Sequence, residues 1–228
     1  MLEISAFIKG AISDDKSVGR CLYIHGVPGT GKTMSVLAVM RNLRTEVDAG
    51  SMMLCKGGYN FSSDSSPHQS IRPYCFVEIN GLKLASPENI YRVRYEALSG
   101  HLVGWKKAPH LLNERFSNGK KFGKEDDKPC TLLIDELVLL VTRNQSVLYN
   151  ILDWPTKPNS KLVVIGIANS MDLPEKMLPC ISSRMGIQRL CFGPYNYRQL
   201  QEIISSRLRG IDAFEKQDIE FASRKLCR

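Results

Sequence analysis

Short apolar runs bounded by turn-forming residues alternate along this chain with longer stretches in which apolar positions recur every three or four residues. Five of the short runs predict strands: Arg20–His25, Tyr74–Ile79, Cys130–Ile134, Leu162–Ile167 and Gly186–Cys191. Each is rich in Val, Ile, Leu, Tyr or Phe, the pattern of strands covered on both faces. Helices are predicted between them. One runs from Lys32 to Val47, a second from an N-cap at Ser86 with Pro87 in its first turn through Leu98, and a third over Gln145–Leu152. This alternation predicts an α/β fold with a five-stranded parallel sheet flanked by helices. Residues 50–73, with paired Gly and clustered Ser, Asp and Pro, read as an irregular loop, and Gly119–Lys128 reads similarly. After Pro194 the pattern turns helical: Asn196 and Gln199 stand at capping-box spacing, and Leu200, Ile203, Ile204 and Leu208 repeat on one face. The chain therefore divides into an α/β part over 1–193 and a helical part over 194–228.

At 228 residues the chain can bury a substantial core, and 43% hydrophobic with 24% charged residues is a globular composition. No apolar run approaches the roughly 18 residues of a membrane span, and the start MLEISAFIKG lacks the basic leader and long apolar stretch of a secretory signal. A reducing compartment and no membrane partner are expected. The seven cysteines are scattered with no CxxC pair, and most read as small core residues. A net charge of +8 admits two readings, a polyanionic partner such as nucleic acid or a lysine-rich surface that keeps the chain soluble.

Candidate chemistry concentrates at the ends of three of the strands. Gly26-Val27-Pro28-Gly29-Thr30-Gly31-Lys32-Thr33 is a phosphate-binding loop between a predicted strand and a predicted helix. Its glycines let backbone N–H groups turn towards phosphate oxygens, and the helix N-terminus adds partial positive charge. Lys32 would meet the β- and γ-phosphates of ATP, and the Thr33 hydroxyl would coordinate Mg²⁺. Thr131-Leu132-Leu133-Ile134-Asp135-Glu136 is a buried strand that ends in two carboxylates. Asp135 would hold the metal, Glu136 would lie beside it, and Glu136 would also orient and polarise an attacking water. A third strand ends at Asn169, whose amide either helps hold that water or merely forms a turn. Basic and aromatic residues alternate in Tyr91-Arg92-Val93-Arg94-Tyr95 and Trp105-Lys106-Lys107. Arg92, Lys106 and Lys107 are candidate contacts for the phosphates of double-stranded DNA, with a solvated helix face as the alternative; Arg94 is the weaker member of the group.

The order of a phosphate loop, an Asp-Glu strand, an Asn-ended strand, a Ser-Ser-Arg segment and then helices resembles that of the AAA+ ATPases. The phrases CLYIHGVPGTGKT, YCFVEINGLKL, LLIDEL, TRNQSVLYNILDWPTKPNSKLVVIGIAN, MDLPEKMLP and ISSRMGIQRLCFGPY resemble, more narrowly and in plant-like wording, the largest subunits of the eukaryotic origin recognition complex. The resemblance implies a nuclear initiator ATPase that acts with the other subunits of that complex and a related helicase-loading initiator on origin DNA. It makes Gly26–Thr33 Walker A, Asp135 and Glu136 Walker B, Asn169 sensor 1 and Arg184 an arginine finger that serves a neighbouring subunit's nucleotide. A surface arginine is the alternative for Arg184. It also implies that residues 194–228 begin a helical lid cut short before the second sensor arginine. Val138 and Cys180 depart from the family's usual acidic and basic residues. A non-hydrolysing module that uses ATP as interface glue and the related helicase-loading initiator remain alternative readings.

Overall fold

The computed structural model describes residues 1–13, 20–55, 73–119, 128–142, 146–170, 187–210 and 214–227, with backbone alone for 48–55. Five parallel strands form one sheet: β1 (Arg20–Gly26), β2 (Cys75–Asn80), β3 (Cys130–Asp135), β4 (Leu162–Ala168) and β5 (Gln188–Phe192), in the order β2-β3-β4-β1-β5. Runs of five or more consecutive buried residues in β1, β3 and β4 follow from their central positions, because helices cover both faces of the sheet. β5 lies at an edge and is mostly exposed.

One face is packed by α1 (Leu2–Ser13) and α2 (Lys32–Cys55), which set Ile4, Ile8, Val36 and Leu43 against Leu22, Ile24, Leu133 and Ile165. The other is packed by α3 (Asn89–Ser99), α4 (Ala108–Asn118) and α5 (Ser146–Asp153), where Ile90, Leu112, Phe116, Ile151 and Trp154 meet Val77, Leu132 and Val164. The Trp154 ring stands 5.6 Å from Tyr91 and 5.4 Å from Phe116, so one aromatic cluster ties α3 and α4 to the turn after α5. At the carboxyl side, α6 (Tyr197–Arg207) and α7 (Lys216–Leu226) pack on each other.

Several sequence expectations are shifted by this packing. Strands β2 and β5 begin one to two residues later than predicted, and Gly186 lies outside the described residues. α2 continues through Gly50 to Cys55, so the first six residues of the expected irregular loop are helical. A mid-helix glycine costs only about 1 kcal/mol relative to alanine, which a long helix tolerates. Ser86 is not an N-cap. Residues 86–88 form a turn closed by the Asn89 N–H on the Ser86 carbonyl, and Glu88 precedes the helix with no side-chain capping bond. The rest of 50–73 and most of 119–128 fall outside the described residues. The Asn196–Gln199 capping box is present with both bonds, and Leu200, Ile204 and Leu208 are half-buried while Ile203 is exposed. Of the cysteines among the described residues, Cys21 and Cys130 are core residues, Cys75 is half-buried, and Cys191 and Cys227 are exposed. No helix among the described residues is long and apolar enough to cross a membrane.

β1 ends at Gly26, paired with Phe192 of β5, and a Cβ there would lie 2.1 Å from the Phe192 carbonyl oxygen. The backbone at Gly26 also has φ of 149°, which side chains other than hydrogen rarely adopt. Gly26→Ala should therefore destabilise the nucleotide-free chain by at least ~2 kcal/mol, lowering its melting temperature by roughly 4 °C or more in a calorimetric scan.

Candidate nucleotide site

All five strands run in the same direction, so the turns after β1, β3 and β4 open on one edge of the sheet. The chain leaves β1 through residues 26–31, and α2 begins at Lys32, which points the helix N-terminus at the same edge. Gly29 and Gly31 have φ of 80° and 78°. In that left-handed conformation successive N–H groups turn inward, forming an anion-binding concavity. Thr30 closes the loop on itself through a 2.8 Å bond from its hydroxyl to the Val27 carbonyl.

A cleft of about 260 Å³ lies here, lined by Gly29, Lys32 and Thr33 of the loop, Asp135 and Glu136 after β3, and Asn169 after β4. Lys32 is 6% exposed, and its ammonium donates to the Gly26 and Val27 carbonyls at 2.9 and 3.0 Å. The Thr33 hydroxyl donates to Asp135 Oδ2 at 3.2 Å, while Asp135 Oδ1 accepts the Glu136 N–H at 3.0 Å. Asn169 Nδ2 donates to Glu136 Oε1 across 3.4 Å. Thus the three motifs, separated by about a hundred and about thirty residues in sequence, are joined by side-chain hydrogen bonds. Glu136 adopts φ 53° and ψ 50°, a left-handed conformation that costs a non-glycine residue about 1–3 kcal/mol. The buried Leu137 and Leu140 of the following 3₁₀ turn hold it there, and Gly81 makes room: a Cβ at Gly81 would stand 2.7 Å from the Glu136 carbonyl.

The donor set fits a magnesium nucleotide. Thr33 and Asp135 put a hydroxyl and a carboxylate side by side, both hard oxygen ligands, next to a lysine and a helix N-terminus suited to phosphate. Magnesium bound with a nucleotide needs only one or two protein oxygens, since phosphates and water complete its shell. Among the described residues, no cluster of three or more His, Cys, Asp or Glu is placed to hold a metal by itself.

The family signature of the ATPases associated with various cellular activities matches residues 22–191. The chain belongs to the AAA family. Over its entire length this AAA chain is 74% identical to Origin of replication complex subunit 1B of Arabidopsis thaliana, of which it covers 26%, and over 99% of its length it is 37% identical to Origin recognition complex subunit 1 of Homo sapiens, of which it covers 23%. It thus spans about a quarter of the length of the curated relatives it matches. Among solved structures it superposes on a chain of the Drosophila ORC bound to DNA with a TM-score of 0.78 at 37% identity, covering 99% of this chain and 49% of that one.

Of the other residues singled out in the sequence, Arg92, Lys106 and Lys107 are exposed, on α3 and on the turn before α4, with the Lys106 ammonium 5.4 Å from the Trp105 ring centroid. Arg94 is fully buried, so it is removed from the DNA-contact candidates; Tyr91 and Tyr95 are buried as well. Val138 is exposed next to the cleft, whereas Cys180 and Arg184 lie outside the described residues. The sequence reading gave no role to Tyr195. Its hydroxyl donates to the Thr30 carbonyl at 2.8 Å and would be 2.9 Å from a Cβ at Gly31, so it rests directly on the phosphate loop. Nothing local to Gly-Pro-Tyr signals that contact, which bridges 165 residues.

Replacing Lys32 by alanine removes the charge held inside the loop. Mg·ATP affinity should fall by one to two decades, the scale of ~1.5–3 kcal/mol for a charged hydrogen-bonding group, as read by calorimetric titration; unchanged affinity would contradict the assignment of the loop.

Proposed function

We propose that this chain is the nucleotide-binding part of a DNA replication initiator subunit. It binds ATP with Mg²⁺ in the cleft between α2, β3 and β4, hydrolyses it slowly by itself, and works in the nucleus within an origin recognition complex. The observation that carries this reading is the hydrogen-bonded convergence of Lys32, Thr33, Asp135, Glu136 and Asn169 on one sheet edge, in a chain so similar to origin complex subunits. Residues 194–228 then act as the start of a lid over that edge, and Tyr195 is their contact with the loop. Other subunits of the complex, a related helicase-loading initiator and double-stranded DNA are the proposed partners. Arg92, Lys106 and Lys107 are proposed to meet DNA phosphates, which needs only exposed cations and no base reading.

In this reading each side chain has a distinct task. Lys32 would exchange its two carbonyl acceptors for phosphate oxygens, and Thr33 and Asp135 would hold Mg²⁺, which would supply positive charge against the phosphates. Glu136 lies one residue beyond the metal ligand, where its carboxylate accepts a hydrogen bond from the attacking water and aims it in line with the γ-phosphorus. Asn169 fixes that carboxylate's orientation through the bond it already makes. Among the described residues no arginine lines the cleft, so the charge that develops on the transferring group is left for another subunit to meet.

Glu136→Gln keeps the shape and loses the acceptor charge. It should leave Mg·ATP affinity within about threefold while single-turnover hydrolysis drops by at least ~100-fold. A mutant that hydrolyses normally would mean that Glu136 is not the base, whereas a parent chain that binds Mg·ATP and never turns it over would favour the second reading, in which bound ATP acts as interface glue.

Arg184 is proposed as the finger supplied in trans. Arg184→Ala should leave the isolated chain's ATP affinity and slow turnover unchanged, yet reduce turnover in a reconstituted complex by ~10³-fold or more. A mixing assay with wild-type and mutant subunits reads this directly, and a defect in the isolated chain would mean that Arg184 acts in cis or supports the fold.

A further inference from the structure

At the opposite end of the sheet from the nucleotide cleft, β2 and β3 begin side by side with two cysteines. Cys75 and Cys130 are register partners in adjacent parallel strands, so their side chains leave the same face, and both belong to the core under α3 and α4. Neighbouring strands are about 4.8 Å apart, inside the 4.4–6.8 Å between Cα atoms that a disulfide spans. The Cys75 thiol is within hydrogen-bonding reach of the Cys130 sulfur.

Two guanidinium groups attend the pair. Arg94 of α3 is fully buried, and its Nη1 donates to Cys130 Sγ at 2.7 Å; its Nε is buried with no hydrogen-bond partner. Arg115 of α4, 8% exposed, adds a second positive charge near the sulfur. A buried arginine needs a counter-charge, and a thiolate at Cys130, whose sulfur accepts from Arg94, supplies one.

We propose that Cys130 and Cys75 form a hydroperoxide-reactive thiol pair that closes to a disulfide across β2 and β3. The Cys130 thiolate attacks one peroxide oxygen, the O–O bond breaks, and hydroxide leaves, giving a sulfenic acid on Cys130. The Cys75 thiol then attacks that sulfur, an S–S bond forms, and the hydroxyl leaves with the Cys75 proton as water. In sum two thiols and one hydroperoxide give a disulfide and two molecules of water (one of them an alcohol for an alkyl hydroperoxide). Cys130 is 3% exposed, which favours a small oxidant over a bulky disulfide such as oxidised glutathione.

The charge state agrees with this geometry. The hydrogen bond from Cys75, aided by Arg94 and Arg115, holds Cys130 at a pKa of about 6 against the opposing effect of burial. Cys21 provides the internal contrast. It is also 3% exposed and belongs to the same core cluster, but burial alone acts on it and pushes its thiol up to about 12. Burial therefore does not distinguish the two sulfurs; their neighbours do.

The test uses the 228-residue chain with Cys191→Ser and Cys227→Ser, which removes the two thiols that are exposed among the described residues. Hydrogen peroxide is added at pH 7, the reaction is quenched by alkylation in denaturant, and peptides are mapped by mass spectrometry without reduction. A Cys75–Cys130 linked peptide should accumulate while Cys21 stays a thiol. With Cys75→Ser the reaction should stop at a Cys130 sulfenic acid, trapped by dimedone. Arg94→Leu, which removes a buried charge and should fold at least as well, should slow oxidation of Cys130 about tenfold, whereas Arg94→Lys should keep it within about threefold. Oxidation of Cys130 no faster than that of Cys21, a sulfenic acid that never links to Cys75 in the parent chain, or an Arg94→Leu variant that reacts at the parental rate would each overturn the proposal. None of these outcomes depends on ATP binding, so they stand apart from tests of the nucleotide site.

Discussion

The constraint on which this molecule depends is that a parallel sheet has to bury both of its faces. Three consecutive central strands, β3, β4 and β1, are buried over most of their length, and the helices that cover them must cross from one strand end to the next strand start. That requirement sends every strand in the same direction. The carboxyl ends of β1, β3 and β4 then converge at one edge while their cores stay dry. The phosphate loop, the carboxylates and Asn169 gather at that edge because polar groups can collect there without being buried in an apolar layer.

The edge is held at some local expense. Glu136 occupies a left-handed backbone conformation that an acidic side chain would not choose by itself, and it stays there because Leu137 and Leu140 are anchored in the core beneath. Gly81, in the turn after β2, and Gly166 of β4 make the same accommodation, the first beneath the Glu136 carbonyl and the second beneath the Leu137 side chain. Rigid packing one residue beyond the carboxylate thus fixes an orientation that Asn169 alone, at 3.4 Å, would hold only weakly.

The phosphate loop, the Asp135–Glu136 pair and the strand ending at Asn169 were legible in the sequence because each is a contiguous run of residue types tied to a local backbone shape. The sheet was legible for a similar reason, since doubly covered strands leave unbroken apolar runs. What escaped was set by distant packing. Ile4, Phe7, Ile8 and Ile12 repeat at helical spacing, but a helix at the very start is worth reading only when there is a groove to receive it, here between α2 and β4. Gly50 looked like a stop for α2, and the helix runs through it. Arg94 looked like a solvent-facing partner of Arg92; two residues apart on a helix, they point in different directions, and only the register of α3 against β3 decides which goes inside. Tyr195 carries no local signature because its partner is the backbone of another segment.

The contact between Tyr195 and Thr30 is a single hydroxyl on a single carbonyl, yet it joins the segment that enters α6 to the peptide unit that precedes Gly31. A peptide unit is rigid, so a hydrogen bond on its carbonyl oxygen also sets the plane of the N–H on its other side. The Thr30 carbonyl and the Gly31 N–H belong to that one plane. Seating of the helical pair and aim of the loop's inward donor are therefore two readings of one torsional coordinate, and whatever displaces either is communicated to the other without any longer chain of intermediates.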